Sequence, residues 1–279
     1  DLSATELLNI AAIDGGASHD AITGSDGNDT IIGGTGNDTL NGGAGDDTFV
    51  VEGTDQGSDR IIGGEGFDTI QGGDGDDSIG LSNLLASYSL DRIDGGLGDN
   101  TVVGTSSGNT LDLSVTELLN IAAIDGGAGN DAITGSDGND TIIGGTGNDT
   151  LNGGAGSDDY RFSKLDGMDK INNFDAALDD IDVLAFDDIV NDGLWFTQNG
   201  NNLVIDVIGT DDRVTINNWY LGEGYQLDEI KVGSHMLQND QVAQLVNAMA
   251  IFDIPTGVGA VVPQDVKDQL APVIASSWQ

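Results

Sequence analysis

Residues 24–50 form three consecutive nine-residue units that share one order of small, polar and apolar positions. The units read GSDGNDTII, GGTGNDTLN and GGAGDDTFV. The first six residues of a unit are rich in glycine and hold an aspartate near the end, which is typical of tight turns. The last three alternate polar, apolar and polar side chains, which suits a very short strand with one buried side chain.

The apolar residue of the unit recurs along the chain and predicts the core. Two units complete one coil, so residues eighteen apart are expected to stack at about 4.8 Å, the spacing of neighbouring strands. This pattern predicts an all-β solenoid of short parallel strands. The column comprises Ile22, Ile31, Leu40, Phe49, Ile70, Ile79, Ile133, Ile142, Leu151 and Tyr160.

A much longer duplication contains the small repeats. Residues 1–47 reappear as a near-copy at 112–158, which indicates a solenoid that grew by copying. Each copy opens with a leucine-rich phrase that ends in Ile-Asp-Gly-Gly, and a third version occupies 81–96. These phrases are interpreted as longer coils of the same solenoid. An amphipathic helix through Thr116–Ala123 is the alternative.

An aspartate column accompanies the apolar column and falls into four blocks. The blocks are Asp20, Asp29, Asp38 and Asp47; Asp59, Asp68 and Asp77; Asn100 and Asn109; and Asp131, Asp140, Asp149 and Asp158. Pairing residues eighteen apart gives five pairs of carboxylates, namely 20/38, 29/47, 59/77, 131/149 and 140/158. Asparagine is a neutral oxygen donor, so the third block is expected to bind a cation weakly or not at all.

Stacked carboxylates repel one another and predict a bound cation. Neighbouring unit charges about 5 Å apart cost roughly 3 kcal/mol at an effective dielectric constant of 20. Calcium accepts six to eight carboxylate and carbonyl oxygens in flexible geometry, whereas magnesium requires a nearly ideal octahedron. The repeated aspartates therefore predict calcium, although aspartate and glycine are also ordinary turn residues.

The pattern changes after Arg161 to one typical of a cap. The runs Leu203–Ile208 and Arg213–Trp219 are rich in β-formers and are joined by residues 209–212, which predicts a hairpin. A solenoid needs a cap to close the exposed end of its core. The aromatic residues of this region are expected to pack in that cap, with a carbohydrate or partner platform as the alternative. They are Trp195, Phe196, Trp219, Tyr220 and Tyr225.

The last segment carries a helical pattern. Val242, Leu245, Val246, Met249 and Phe252 have helical spacing, and Asn239 or Asp240 is the expected N-cap. Pro263 is expected to open a second short helix through Leu270. The predicted domains are a calcium-binding roll at 1–161 with blocks at 14–50, 53–80, 95–112 and 126–161, an aromatic β-rich cap at 162–235, and a helical tail at 236–279.

Composition excludes several classes of function. The 279 residues include 48 acidic and 8 basic ones, for a net charge of −40, which excludes nucleic acid as a partner and argues against anionic membranes. There is no cysteine, and no apolar run reaches transmembrane length. Residues 104–108 match GxSxG, but they lie in a glycine-rich repeat with only two histidines in the chain. No catalytic constellation is found, so this segment is not expected to be an enzyme.

These units resemble the RTX (repeats-in-toxin) nonapeptide, and the chain resembles the C-terminal part of an RTX protein exported by type I secretion. The run Leu194–Val232, with DDRVTINNWY and QLDEIKV, resembles the haemolysin-type calcium-binding-related domain that commonly follows such repeats. The resemblance implies a right-handed parallel β-roll and an uncleaved secretion signal within 238–279. It also implies a monomer whose partners are calcium and the type I machinery, secreted from or displayed on a Gram-negative bacterium.

The resemblance further implies that the column aspartates bind calcium together with carbonyls of the turns, in about five complete sites. Besides the eleven aspartates above, the implied ligands are the backbone carbonyls of Gly24, Asp26, Gly33, Thr35, Gly42, Ala44, Gly63, Glu65, Gly72, Asp74, Gly126, Ala128, Gly135, Asp137, Gly144, Thr146, Gly153 and Ala155.

Two functions follow as hypotheses. The first is a calcium-dependent folding module that supports export, with any catalytic activity of the parent protein expected upstream. The alternative is an adhesion module that binds a glycan or a protein through the aromatic C-terminal segment. Members of the family include cytolysins, adhesins, proteases, lipases and alginate epimerases, so the repeats do not identify the activity of the parent.

Overall fold

The computed structural model describes residues 12–174 and 179–279. The first leucine-rich phrase, within residues 1–11, lies outside the described residues. The chain divides into two compact units, Asp1–Asp140 and Thr141–Gln279, which are described separately below.

The first unit is a stack of short parallel strands, as the alternation of turns and apolar residues predicts. Its strands are β1 (Ile13–Asp14), β2 (Ala21–Thr23), β3 (Thr30–Ile32), β4 (Thr39–Ala44), β5 (Thr48–Val50), β6 (Arg60–Glu65), β7 (Thr69–Gln71), β8 (Ser78–Gly80), β9 (Arg92–Asp94), β10 (Asn100–Val103), β11 (Thr110–Asp112), β12 (Glu117–Leu119), β13 (Ile121–Asp125) and β14 (Ala132–Thr134). They stack in the orders β1-β3-β5-β7-β9-β12, β2-β4-β6, β8-β10-β13 and β11-β14. The predicted parallel solenoid is confirmed.

The register shows where the coils are regular and where they lengthen. Ile31 pairs with Phe49 and Ile22 with Leu40, which is the predicted offset of two units. One coil later, Leu40 pairs with Ile61, because residues 51–58 add to the turn. Later coils are longer still, with Ile70 paired with Ile93 and Leu111 with Ile133. The register shifts between Asn100 and Thr101, where β10 pairs with β13.

The predicted apolar column forms the core. Ile31, Phe49, Ile70 and Ile79 are each 0% exposed, whereas Ile22 in the second strand is half-buried. The side chains flanking each buried residue point outward, in agreement with the two-residue period of a strand.

The leucine-rich phrase at 112–126 forms a longer coil and not a helix. Glu117–Leu119 pairs with β9 and Ile121–Asp125 pairs with β10, both in parallel. The alternative of a helix through Thr116–Ala123 is therefore wrong. The strands gain backbone partners from the preceding coil, and Leu113 is fully buried, so tertiary pairing outweighs the helical spacing of the leucines.

The second unit continues with parallel strands and ends in antiparallel ones. Its strands are β15 (Thr141–Ile143), β16 (Thr150–Asn152), β17 (Asp159–Phe162), β18 (Met168–Ile171), β19 (Val183–Phe186), β20 (Leu194–Asn199), β21 (Asn202–Val207), β22 (Arg213–Ile216), β23 (Glu229–Val232) and β24 (His235–Gln238). Within the unit they stack as β15-β17-β19-β23-β24 and β16-β18-β22-β21-β20. Pairing is parallel up to β22 and β23 and antiparallel beyond them.

The antiparallel strands contain the predicted hairpin and bury most of the aromatic cluster. β21 and β22 pair in antiparallel fashion, which confirms the hairpin across residues 209–212. Trp195, Phe196 and Trp219 are 2%, 1% and 3% exposed. Aromatic core packing in this region is thus confirmed for these three residues.

Two helices follow, α1 (Asn239–Met249) and α2 (Gln264–Ser277). The first helix is confirmed, but the expected cap is wrong, because β24 runs directly into α1 and Gln238 occupies the N-cap position without a side-chain hydrogen bond. The second begins after Pro263 as predicted and runs beyond Leu270 through Pro272. Neither helix, nor any other in the described ranges, is long and apolar enough to span a membrane.

The last residue of the chain is fixed to the strand before α1. The N–H of Met236 donates to the carbonyl of Gln279 at 3.0 Å, and the N–H of Gln279 donates to the carbonyl of Met236 at 2.9 Å. Trp278 is 7% exposed, and its ring lies 6.5 Å from that of Phe196. The end of the chain is therefore part of the folded unit.

Stacked turns leave no room for a side chain on their inner glycines. Gly64 has φ of +121°, and a β-carbon there would lie 2.0 Å from the carbonyl oxygen of Gly43 in the neighbouring coil. Gly75 has no atom within 4 Å of its added β-carbon and no positive φ. Gly64 and Gly75 therefore serve as the test position and the control for the same substitution.

We expect Gly64→Ala to lower the free energy of unfolding in calcium by at least about 1 kcal/mol, because the left-handed conformation alone costs that much for a residue with a β-carbon. Gly75→Ala is expected to change it by no more than about 0.5 kcal/mol. Urea unfolding followed by circular dichroism measures both. Equal effects of the two substitutions would contradict the close stacking of the turns.

Candidate metal centres

Four of the column aspartates, Asp38, Asp47, Asp59 and Asp68, each use one carboxylate oxygen to bond the preceding coil. The N–H of Asp20 donates to Oδ1 of Asp38 at 2.8 Å, and the N–H of Asp38 donates to Oδ1 of Asp59 at 2.8 Å. In a second column, Asp29 donates to Asp47 at 2.8 Å and Asp47 to Asp68 at 2.9 Å. The stacking of 20/38 and 29/47 is as predicted.

The predicted pair 59/77 is wrong. Asp59 stacks against Asp38, and the N–H of Asp77 donates to Oδ1 of Asn100 at 2.9 Å. The offset rises from 18 residues for 20/38 to 21 for 38/59, since the coil lengthens between the first and second blocks. A fixed period of two units therefore fails at the block boundary, while the columns themselves continue.

The other carboxylate oxygen is left without a partner in four of these residues. Oδ2 of Asp20, Asp38, Asp47 and Asp68 is buried and accepts no hydrogen bond from the described part of the chain. A buried acceptor without a partner is costly, and a buried charge more so. These four oxygens therefore require a positive partner.

Carbonyl oxygens face the same places. A β-carbon added to Gly15 would lie 2.6 Å from the carbonyl oxygen of Gly33 and 3.1 Å from Oδ2 of Asp20. At Gly42 the same position lies 2.6 Å from the carbonyl oxygen of Gly63 and also against Oδ2 of Asp47. The first glycine of a unit thus leaves a space where a carboxylate and a carbonyl from adjacent coils converge.

This donor set fits calcium. Calcium takes carboxylate and backbone carbonyl oxygens in flexible arrangements, and both kinds face the spaces above the glycines. Within residues 12–174 and 179–279, no group of three or more acidic or histidine side chains that could hold a metal ion is found. The carbonyl of Thr35 also accepts the N–H of Ser18, and the carbonyl of Glu65 accepts the N–H of Gly45.

Not every column aspartate has a free oxygen. Where serine replaces the second glycine, Oδ2 of Asp29 accepts the N–H of Ser25 at 2.5 Å and its hydroxyl at 3.0 Å. Asp140 receives the same pair of bonds from Ser136 at 2.7 and 3.0 Å. The serine hydroxyl thus donates a hydrogen bond to the oxygen that a cation would otherwise contact. These two aspartates are therefore expected to be weaker calcium ligands.

The fourth block is buried but divided between the two units. Asp131 and Asp140 are 3% and 7% exposed in the first unit, and Asp149 and Asp158 are 1% and 2% exposed in the second. The pairs 131/149 and 140/158 remain predictions.

Sequence analysis missed four aspartates that extend the columns past the glycine-rich turns. They accept the N–H of Asp68 at 2.8 Å, Asp149 at 2.9 Å, Asp158 at 3.0 Å and Asp182 at 3.0 Å. Each stands two residues before a buried strand residue, as in Asp-Arg-Ile and Asp-Lys-Ile, and this spacing could have found them without glycines. They are Asp91, Asp169, Asp182 and Asp228.

Burial makes several of these carboxyls harder to ionise. Burial raises the pKa of Asp47 from 3.8 to about 6, with the charges of Asp68 and Asp29 adding to the effect. Burial also raises the pKa of Asp59 to about 6 and that of Asp169 to about 8. Without a cation the folded state therefore holds protons that the unfolded chain would release.

Comparison with known families agrees with this geometry. Residues 14–49, 54–81, 86–112 and 125–160 match the RTX calcium-binding nonapeptide repeat. Residues 202–231 match the haemolysin-type calcium binding protein related domain. The chain carries the calcium-binding repeats of the RTX family. The RTX repeats form a calcium-binding structural region and not a catalytic one.

Among solved structures the chain is similar to the extracellular lipase LipA from Serratia marcescens. The match has 26% sequence identity over 70% of this chain, with a TM-score of 0.34. The chain spans 37% of the length of that lipase.

For the metal-free RTX roll, we expect the free energy of unfolding to increase as the pH falls from about 8 to about 4. The folded carboxyls, with pKa values of about 6 and 8, bind protons at pH values where the unfolded ones, near 3.8, are ionised. The gain should be on the order of 1–3 kcal/mol. Far-UV circular dichroism of the chelated protein across this pH range measures it, because β structure should increase as protons stabilise the folded state. The double variant Asp47→Asn/Asp59→Asn should flatten the curve, and stability that falls with acid would contradict the assignment.

Substitution of one column aspartate tests its role as a calcium ligand. Asp38 lies between Asp20 and Asp59 and is 2% exposed. Asp38→Asn therefore removes one negative charge between two neighbouring aspartates. We expect fewer bound calcium ions per chain and a higher calcium midpoint, measured by isothermal titration calorimetry. Asp26→Asn, on an exposed turn side chain, should leave both values unchanged; an equal effect of both substitutions would rule out a specific ligand role.

Proposed function

We propose that this chain is a calcium-triggered folding module of a protein exported by type I secretion. The observation that carries the proposal is the set of buried carboxylate oxygens without partners, Oδ2 of Asp20, Asp38, Asp47 and Asp68. They make the folded roll unfavourable when no cation is present.

The charges decide in which compartment the roll folds. Where calcium is scarce, adjacent ionised aspartates would repel by roughly 3 kcal/mol per neighbouring pair, and the chain stays extended and able to pass an exporter. Outside the cell, calcium binding and folding become one event, because the sites do not exist in the unfolded chain. Modules of this kind typically bind calcium at roughly 10⁻⁴–10⁻³ M. Folding outside then opposes return through the exporter.

The second unit provides an end from which the roll can grow. Its antiparallel strands bury Trp195, Phe196 and Trp219, and they extend a parallel stack that would otherwise end in an open edge. In this proposal the segment 238–279, with α1 and α2, carries the export signal. The count of about five calcium ions, monomeric state, and a Gram-negative host remain parts of the proposal.

The alternative, an adhesion module, was based on the aromatic residues of the second unit. A glycan platform needs exposed aromatic faces, and Trp195 and Trp219 are buried. Tyr225 is half-buried and packs against Phe174 with ring centroids 5.0 Å apart.

Far-UV circular dichroism during a calcium titration tests the proposal. We expect a cooperative change from coil to β structure with calcium, because the roll requires cations in its spaces, and no such change with magnesium at the same concentration.

Chelator provides the opposing condition. A chain that keeps its full β signal in chelator at neutral pH would refute the folding switch while leaving calcium a structural ligand. A calcium transition that magnesium reproduces at equal concentration would refute the selectivity derived from the oxygen donors.

A further inference from the structure

The second unit contains an apolar cavity that the calcium sites do not use. Its volume is about 450 Å³, within the range of roughly 300–1,000 Å³ typical of small-molecule sites. Its walls come from the start of β20, the end of α1 and one side of α2. The apolar lining residues are Leu194, Trp195, Met249, Leu270, Ile274 and Trp278.

Polar groups in the lining are few. Asp192, Lys267 and His235 also line the cavity, and Nζ of Lys267 lies 3.5 Å from Oδ2 of Asp192 with both side chains about half exposed. Lys267 thus places a permanent cation at an apolar cavity in a chain of net charge −40.

The connection between α1 and α2 adds exposed apolar residues to the wall residue Val262. Ile251, Val258 and Val261 are 77%, 81% and 74% exposed. A single exposed apolar side chain is ordinary, but three in one short connection leading into an apolar cavity indicate an apolar ligand.

We propose that this cavity binds a free fatty acid, with the acyl chain between β20 and α2 and the carboxylate at Lys267. The apolar walls would cover the methylene chain, and each methylene removed from water contributes favourably. Lys267 would turn from Asp192 toward the ligand carboxylate. None of the column aspartates lines this cavity.

Tryptophan fluorescence of the full chain in calcium provides the test. Trp195 and Trp278 line the cavity, and the chain has 3 tryptophans in all. Decanoate is titrated below the concentration at which its calcium salt precipitates, next to decyl maltoside and decyltrimethylammonium of the same chain length. We expect a saturable change with decanoate at the lowest concentration, and a weaker one with the uncharged detergent.

Variants separate the head group from the chain. Lys267→Met should weaken decanoate binding about fivefold, the ratio that corresponds to an exposed charge pair of ~1 kcal/mol, and leave decyl maltoside binding unchanged. Lys231→Met is the matched control, because Lys231 pairs with Glu229 away from the cavity lining. Ala271→Phe should abolish binding of all three amphiphiles, since exposed Ala271 faces the cavity and a phenyl ring would fill it.

The proposal is overturned by any of four results, each with folding verified by circular dichroism. These are no saturable change with decanoate, equal affinity for all three head groups, decanoate binding unaffected by Lys267→Met, or binding unaffected by Ala271→Phe. A response to anionic phospholipid vesicles but not to decanoate also overturns it, because the surface would then recognise a membrane and not a free acid.

Discussion

The structure depends on one arrangement, in which the two oxygens of an aspartate carboxylate have different roles. One oxygen accepts the N–H of the aspartate in the preceding coil, as Asp38 does for Asp20, and this bond fixes the stacking of the turns. The other oxygen faces a buried space without a hydrogen bond. The same side chain therefore aligns the coils and leaves a buried oxygen that a cation would satisfy. The proposed dependence of folding on calcium rests on this arrangement.

The columns tolerate changes in coil length because they rely on the strand residue and the aspartate two positions before it. Coils of 18, 21 and 23 residues all place the N–H of one aspartate on the side-chain oxygen of the next column residue. Added residues lengthen the turns, where no partner strand constrains them. The glycines have a narrower role: they make space for the second carboxylate oxygen and the neighbouring carbonyl.

Much of the fold could be predicted because its signals are local. The apolar column, the hairpin of β21 and β22, and α1 all follow from spacing within short stretches of sequence. The pairing of Asp59 could not be predicted by a fixed period, because it depends on how many residues the preceding turn inserts. The role of Asp91 and Asp169 was hidden because neither follows a complete Gly-Gly-x-Gly turn. The longer coil expected at 112–126 formed, and the alternative of a helix near Thr116 is wrong because pairing with β9 and β10 outweighs a leucine pattern of helical spacing.

The two backbone bonds between Met236 and Gln279 have a consequence for how the chain can be read by another protein. They place the final residue in a bridge with β24 and bring Trp278 against Phe196. If the tail is the export signal, a transporter that grips it as an extended peptide and the folded second unit compete for the same backbone groups. Under the proposed export role, recognition and folding would then exclude each other, and a chain that has completed its fold would no longer be bound by the exporter.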